Sequence, residues 1–79
     1  MAQKESNSDM EKLTFNEELF FKELKFYINQ YGYTPTIREF GKHMKLNSPA
    51  TVYYYLKRLE AKGYIKRINN RNIQILKND

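Results

Sequence analysis

Residues 36–63 read TIREFGKHMKLNSPATVYYYLKRLEAKG, and this stretch decides the fold. It contains two short segments whose apolar residues recur with the period of a helix, separated by a tight link. Thr36 and Glu39 have the T-x-x-E spacing of a capping box, which satisfies free backbone N–H groups at the start of a helix. The pattern therefore predicts a short helix that begins after Thr36 and ends near residue 45.

The second segment starts with Ser48, a typical N-cap residue. Pro49 follows at the first helical position, where the N–H that proline lacks would have had no partner within the helix. We expect this helix to cover residues 49–62 and to end before Gly63, which suits the left-handed backbone that follows many helices. Its buried stripe would comprise Val52, Tyr55, Leu56 and Leu59. Two short helices joined in this way predict a helix-turn-helix, whose second helix enters the major groove of DNA.

A longer helix precedes this pair. Thr14 and Glu17 form another capping box, so we expect the helix to cover residues 15–30 and to stop before Gly32. It has two apolar faces on nearly opposite sides: one comprises Phe20, Phe21, Leu24, Tyr27 and Ile28, and the other Phe15, Leu19 and Phe26. We interpret the second apolar face (Phe15, Leu19 and Phe26) as a contact surface for another copy or a partner, the alternative being cover by the N-terminal arm or a loop.

The apolar period changes to two after Gly63, which is typical of β-strands. Residues 64–68 and 72–76 are strand candidates, and residues 69–71 favour a hairpin turn because asparagine tolerates the left-handed conformation. A lone hairpin is only marginally stable, so it should lean on the helices. The expected anchors are Ile65, Ile73 and Ile75. Three helices and a hairpin predict a mainly α fold with a small β-hairpin, the winged helix-turn-helix.

The composition limits the kinds of protein that this chain can be. Its 79 residues allow one small domain, over residues 13–79, after a polar arm at residues 1–12 that should be flexible. Without cysteine and with His43 as the single histidine, a metal site, a cofactor or a catalytic triad is not expected, and His43 is interpreted as a surface residue. With neither a membrane-length apolar run nor a signal-peptide pattern, we expect a cytoplasmic protein.

The formal net charge of +5 is unevenly distributed along the chain. Residues 1–24 contain three lysines against six acidic residues, whereas residues 25–79 contain eleven lysines and arginines against three acidic residues. The positive part is suited to a polyanionic partner. We do not expect an enzyme or a small-molecule substrate, because no nucleophile–base pair, metal cluster or glycine-rich phosphate loop can be identified.

The candidate nucleic-acid-binding residues lie on the helix-turn-helix and on the wing, which is the predicted hairpin. They are Thr36, Arg38, Ser48, Ala50, Thr51, Tyr53, Tyr54, Lys57, Arg58, Lys66, Arg67 and Arg71. Tyr53 and Tyr54 point outward in this helix, whereas Tyr55 should be a core residue with a solvated hydroxyl. The two outward tyrosines can bond a phosphate or a base edge of duplex DNA, or stack on the bases of a single strand. The alternative is that one or both pack against a neighbouring loop or the wing. Lys42 and Lys45 are open to two interpretations, either as part of this basic pattern or as residues that only solubilise the second helix.

The segment GYTPTIREFGKHMKLNSPATVYYYLKRLEAKGYI at residues 32–65 resembles the DNA-binding domain of the LexA repressors. The opening LT and the closing strand NIQIL extend the resemblance over residues 13–76. It implies a winged helix-turn-helix that binds palindromic double-stranded operators as a dimer and represses transcription. The family's base-contacting positions correspond here to Ala50, Thr51, Tyr53 and Tyr54.

LexA proteins also have a C-terminal self-cleaving Ser-Lys domain, which supplies their main dimer contact. The sequence up to Asp79 contains no counterpart, so we expect no autocleavage, and the second apolar face is the candidate replacement for that dimer contact. Small proteins of this type suit a phage, a plasmid or another mobile element.

Three functions therefore remain open at the level of sequence. The first is a sequence-specific duplex-DNA binder and transcriptional regulator that acts as a dimer. The second is a single-stranded DNA-binding protein in which the exposed tyrosines stack on bases. The third is a protein-interaction module that uses the second apolar face.

Overall fold

Three helices and a two-stranded antiparallel hairpin make up the described part of the chain, residues 12–69 and 72–77 of the computed structural model. The elements are α1 (Phe15–Tyr31), α2 (Ile37–His43), α3 (Pro49–Ala61), β1 (Ile65–Asn69) and β2 (Asn72–Ile75). The predicted winged helix-turn-helix is confirmed, and the observed helix ends lie within two residues of the predicted ones. The arm expected at residues 1–12 lies outside the described residues, except for Lys12.

Each helix begins at the predicted cap. The Thr14 hydroxyl accepts a hydrogen bond from the Glu17 backbone N–H at 3.2 Å, and the Glu17 carboxylate accepts one from the Thr14 N–H at 2.9 Å. Thr36 and Glu39 form the same reciprocal pair at 3.1 and 2.9 Å. At α3 the Ser48 hydroxyl faces the Thr51 N–H at 3.4 Å. These caps set where the three helices start.

Left-handed residues end two of the helices and form the turn between α2 and α3. Gly32 follows α1 with a φ of 81°, and Gly63 follows α3 with a φ of 85°. Lys45, between α2 and α3, has a φ of 61°, which is uncommon for a residue with a side chain. The tight link that the sequence predicted is therefore built on a strained lysine rather than a glycine.

The core lies where α1, α2, α3 and β1 meet. Its buried hydrophobic cluster comprises Phe20, Phe21, Leu24, Phe40, Val52, Leu56, Leu59 and Ile65. The core face predicted for α1 is confirmed, and the three aliphatic residues of the stripe predicted for α3 are buried. Tyr55, at the edge of that stripe, is half-buried as expected.

The wing packs on this core through alternate residues of its two strands. Ile65 pairs with Ile75 and Arg67 with Ile73. Ile65 is buried, and Ile73 and Ile75 are half-buried against the core, which confirms the three predicted anchors. The pairing shifts between Arg67 and Asn69, at a bulge. Residues 70 and 71 of the turn lie outside the described residues.

His43 differs from the expectation that it is a surface residue. Its ring is half-buried, and Nε2 lies 2.9 Å from Glu23 Oε1 of α1. The rings of Phe26, Tyr27 and Phe40 surround it, with centroids 5.4–6.1 Å away. The expectation was wrong because the end of α2 lies against α1, a contact between residues twenty positions apart. In the described part of the chain, no helix is both long and apolar enough to cross a membrane.

Candidate nucleic-acid interface

The outward face of α3 carries the side chains that the helical period predicted. Val52, Leu56 and Leu59 are buried, whereas the opposite side of the helix is open to solvent. The exposed residues there are Ala50, Tyr53, Tyr54, Lys57 and Arg58, and Thr51 is half-buried. An α-helix with such a face fits the width of the DNA major groove. We call α3 the recognition helix.

Tyr53 joins the recognition helix to the wing. Two cations lie near its ring, with the Lys57 Nζ 5.6 Å and the Arg67 guanidinium carbon 5.0 Å from the ring centroid. Both distances fall within the range of cation–π attraction. The backbone N–H of Arg67 also donates to the Glu60 carboxylate at 3.2 Å. The wing strand is therefore held beside the recognition helix, while Tyr53 remains 42% exposed.

Tyr54 is the most exposed tyrosine of α3, with 55% of its surface accessible. Its ring meets that of Tyr55 edge-to-face at 5.1 Å, and Tyr55 stacks on Phe20 of the core at 4.3 Å. Asn16 donates to the Tyr55 hydroxyl at 3.2 Å, as predicted for a core tyrosine with a polar tip. This row of rings connects Tyr54 to the core, while much of the Tyr54 ring remains open to solvent.

A buried carboxylate lies beside the recognition helix. Glu17 of α1 is only 2% exposed, and its carboxylate bonds both Arg58 Nε of α3, at 3.0 Å, and the Nζ of Lys62, the C-cap of that helix. Burial by itself raises the pKa of Glu17, but the hydrogen bonds from Lys62, Thr14 and Arg58 outweigh it and lower the pKa to about 2. The ionised carboxylate therefore ties the recognition helix to the start of α1.

Arg58 was predicted as a nucleic-acid contact. The structure shows that it also binds the Glu17 carboxylate of α1. The hydrogen bond to Glu17 uses its Nε and raises the pKa of the guanidinium. Its side chain is still 45% exposed, beside Tyr54. A guanidinium has five N–H donors, so one group can hold a carboxylate and still reach a phosphate or a guanine.

A recess opens between α2 and the start of the recognition helix. Its lining comprises Ile37, Arg38, Gly41, Lys42, Leu46, Asn47 and Pro49. Arg38 is exposed here, as predicted, whereas the Thr36 hydroxyl oxygen accepts the capping bond and keeps its O–H as a donor. Sequence reasoning did not place Lys42 and Asn47 beside Arg38 in one recess. The four-residue spacing from Arg38 to Lys42, one helical turn, was the signal that could have placed both cations on one side of α2.

The remaining candidates lie on the wing and on α1. Lys66 is exposed on β1, next to Arg67, and Arg71 lies outside the described residues. The second apolar face of α1 is open to solvent, with Phe15 79%, Leu19 39% and Phe26 53% exposed. In the part of the chain that the structure describes, no group of three His, Cys, Asp or Glu side chains could hold a metal ion.

Together these features define a class of protein. A helix-turn-helix whose second helix exposes tyrosines and cations, flanked by a basic wing strand, is the arrangement of a winged-helix nucleic-acid-binding domain. Residues 10–72 match the family described as the LexA DNA binding domain, and the chain belongs to this family. That family consists of DNA-binding domains of transcription regulators, which agrees with the geometry of the recognition helix and the wing.

Relatives with similar sequences carry the same name. The LexA repressor of Carboxydothermus hydrogenoformans is 46% identical over 55 residues, which cover 70% of this chain and 27% of the relative. The LexA repressor of Bacillus thuringiensis strain Al Hakam is 42% identical over 72 residues, which cover 89% of this chain and 35% of the relative. That of Pelotomaculum thermopropionicum is 41% identical over 70 residues. The matched regions span about a third of these relatives' length.

Proposed function

We propose that this chain is a cytoplasmic, sequence-specific duplex-DNA binder that acts as a homodimer and represses transcription. The observation that carries the proposal is the outward face of α3, where exposed Tyr53, Tyr54 and Lys57 stand on a helix of the LexA DNA-binding family. Side chains at these positions of a recognition helix reach base edges in the major groove. Arg38, Lys66 and Arg67 on the flanking elements are proposed to bind the phosphate backbone.

Each of these side chains is proposed to make a specific contact with DNA. Tyr54, whose ring contacts that of Tyr55, presses on a thymine methyl or bonds a base edge, and Lys57 donates to guanine or to a phosphate. Arg67 holds Tyr53 against the wing, which limits the directions that the Tyr53 hydroxyl can take. The start of α3 also offers backbone N–H groups toward a phosphate, beside Ser48 and Thr51.

The test is selection of bound sequences from a random duplex library, followed by fluorescence anisotropy on the selected duplex. A specific binder enriches two half-sites at a constant spacing and binds them far more tightly than a scrambled duplex. If every duplex bound with equal affinity, the proposal would be wrong. Each strand of the selected duplex is measured alone in the same titration.

Single-stranded binding is a second candidate, favoured by the 55% exposure of the Tyr54 ring. Stacking of a base on an aromatic ring contributes about 1–3 kcal/mol per base and tolerates any sequence. In that case the separated strands bind more tightly than the duplex, and no motif is enriched. The single-strand titration therefore decides between the two candidates.

Substitution of Tyr54 tests the recognition helix directly. We expect Tyr54→Ala to weaken binding to the selected duplex by about 1–3 kcal/mol, because a major-groove contact is lost. Tyr31→Ala is the matched control, since Tyr31 is similarly exposed, at 53%, but lies at the end of α1. Anisotropy measures both variants, and an equal loss in both would contradict a specific role for Tyr54.

A further inference from the structure

We propose that the second apolar face of α1 is the dimer surface, and that it binds α1 of a second copy in an antiparallel arrangement. This inference takes from the proposed function only the statement that the chain acts as a homodimer. The face is defined by Phe15, Leu19 and Phe26, all exposed in the structure. Three observations identify the occupant as the same chain: the residue spacing, the shape of the face and its charges.

The spacing of this face is that of a helix–helix seam. Phe15, Leu19, Lys22 and Phe26 follow one another at intervals of four, three and four residues. Alternating intervals of three and four keep a stripe on one side of a helix and are the heptad pattern of paired helices. Lys22 contributes its apolar stem while its ammonium group reaches solvent.

The same stripe is complementary to itself when one copy is reversed. An antiparallel pair centred between Phe20 and Phe21 brings Phe15 of each copy opposite Phe26 of the other, because both lie equally far from the centre along the helix. Leu19 is likewise opposite Lys22 of the other copy. An isologous contact of this kind closes a two-fold dimer.

The shape of the surface agrees with this pairing. Phe15 stands out at one end of the stripe with 79% of its surface exposed. A groove lies at the other end, between α1 and the wing, and it is lined by Lys22, Lys25, Phe26, Ile28, Asn29 and Ile75. The antiparallel arrangement brings Phe15 of each copy to the groove of the other. An exposed aromatic ring that enters a partner's pocket is a typical anchor of an interface.

The charges beside the stripe select the antiparallel orientation. Glu18 borders the first half and Lys25 the second half of the same edge, one heptad apart. Antiparallel helices bring Glu18 of each copy near Lys25 of the other, whereas parallel helices in register would bring like charges together. The Lys25 ammonium lies 4.5 Å from the Phe21 ring centroid, and Lys25 is one of the residues that line the groove.

Dimerisation through this face leaves the nucleic-acid interface free. The core side of α1 contacts α3 through Glu17 and Phe20, which bond Arg58 and stack on Tyr55. The second apolar face lies on the other side of α1 and therefore points away from the recognition helix. A second copy docked there covers none of Tyr53, Tyr54 or Lys57.

Sedimentation equilibrium over a range of concentrations tests the proposal. We expect a reversible dimer of the whole chain, and at least about a tenfold weaker dimer for Leu19→Lys, which places an ammonium group opposite Lys22 of the other copy. Ile68→Lys is the matched control, because Ile68 is 54% exposed but lies on β1, outside the proposed contact. A monomer at every concentration, or a Leu19→Lys chain that dimerises like the parent, would overturn the proposal.

The orientation is tested by mixing two charge variants. Glu18→Lys and Lys25→Glu each place like charges together in their own homodimers, so each alone should dimerise more weakly than the parent. An equimolar mixture restores two attractive pairs per dimer and should recover most of the affinity. Without this recovery the antiparallel arrangement is wrong. Circular dichroism confirms that each variant is folded before it is used.

Duplex binding is measured on the same variants to separate this inference from the proposed function. We expect the Leu19→Lys chain to bind a duplex with one half-site at least as tightly as the parent does, and to lose only the gain from a second half-site. If the parent dimerises through α1 but binds no duplex, the proposed function fails and the dimer surface stands. If the parent binds duplex specifically but Leu19→Lys does not weaken its dimer, the dimer surface fails and the proposed function stands.

Discussion

At the scale of single residues, Glu17 links the local and the tertiary structure. Its side chain caps α1 through the Thr14 N–H and also binds Arg58 of the recognition helix and Lys62, the C-cap of that helix. The capping role was predictable from three neighbouring residues. The ion pairs with residues 41 and 45 positions away were not, because no short pattern specifies which distant cations will meet a carboxylate.

The pKa of Glu17 makes a prediction about stability and pH. Because folding lowers this pKa from 4.5 to about 2, the folded state is favoured whenever the carboxylate is ionised in both states. The contribution, roughly 3 kcal/mol at 1.4 kcal/mol per pKa unit, is fully present above about pH 5 and is lost as the pH falls toward 2. Urea denaturation from pH 7 to pH 2 measures it.

The control for that experiment is the exposed neighbour Glu18. We expect Glu17→Gln to lower the free energy of unfolding at pH 7 and to flatten its decrease below pH 5, since the titrating group is gone. Glu18→Gln should change stability by at most about 0.5 kcal/mol, as surface substitutions usually do. An unchanged pH profile in Glu17→Gln would show that other acids control the acid unfolding.

At the scale of secondary-structure elements, two identical capping boxes have different neighbours. Thr14 starts α1 in a box with Glu17, which bonds Arg58 of α3, whereas Thr36 starts α2, which carries Arg38. Each cap satisfies backbone N–H groups that have no partner within the helix. Local signals of this kind predicted the start of every helix, because a cap depends on residues only three positions apart.

The two threonines offer a matched pair of substitutions. We expect Thr14→Ala and Thr36→Ala each to lower the free energy of unfolding by about 1 kcal/mol, the usual cost of losing an N-cap. Only Thr36→Ala should also weaken duplex binding, because Thr36 is a candidate contact beside Arg38. Thermal unfolding and anisotropy distinguish the two effects. Equal DNA affinity in both variants would remove Thr36 from the interface.

At the scale of the whole molecule, several of the cations proposed to contact DNA lie on or beside the recognition helix. Lys57 and Arg67 meet around Tyr53, and Lys66 lies on the same strand as Arg67. Phosphate contacts release counterions from DNA, so affinity should fall steeply with salt, with a log–log slope of about −0.9 for each phosphate neutralised.

The salt dependence can be assigned to individual lysines. We expect Lys57→Gln to reduce the magnitude of the salt slope by about one if Lys57 binds a phosphate. Lys77→Gln is the control, because the Lys77 ammonium lies 5.4 Å from the Tyr64 ring centroid, at the end of the wing near α1. Anisotropy at several salt concentrations gives both slopes. An unchanged slope for Lys57→Gln would mean that Lys57 contacts a base or no DNA at all.

The sequence by itself determined the elements, their order and the outward face of the recognition helix. Capping boxes, a proline at the first helical position and apolar periods act over one or two turns, so these features could be identified without knowledge of the rest of the chain. The exposure of Tyr53 and Tyr54 followed from the burial of Val52, Leu56 and Leu59 on the same helix.

Only the tertiary structure decided which distant residues meet. It placed Arg67 of the wing over Tyr53, paired Glu17 with Arg58 and Lys62, and buried half of His43 against α1. Each of these contacts joins two elements whose relative position is set by packing of the shared core. Packing depends on the shapes of all the buried side chains together, and no local pattern in the sequence contains that information.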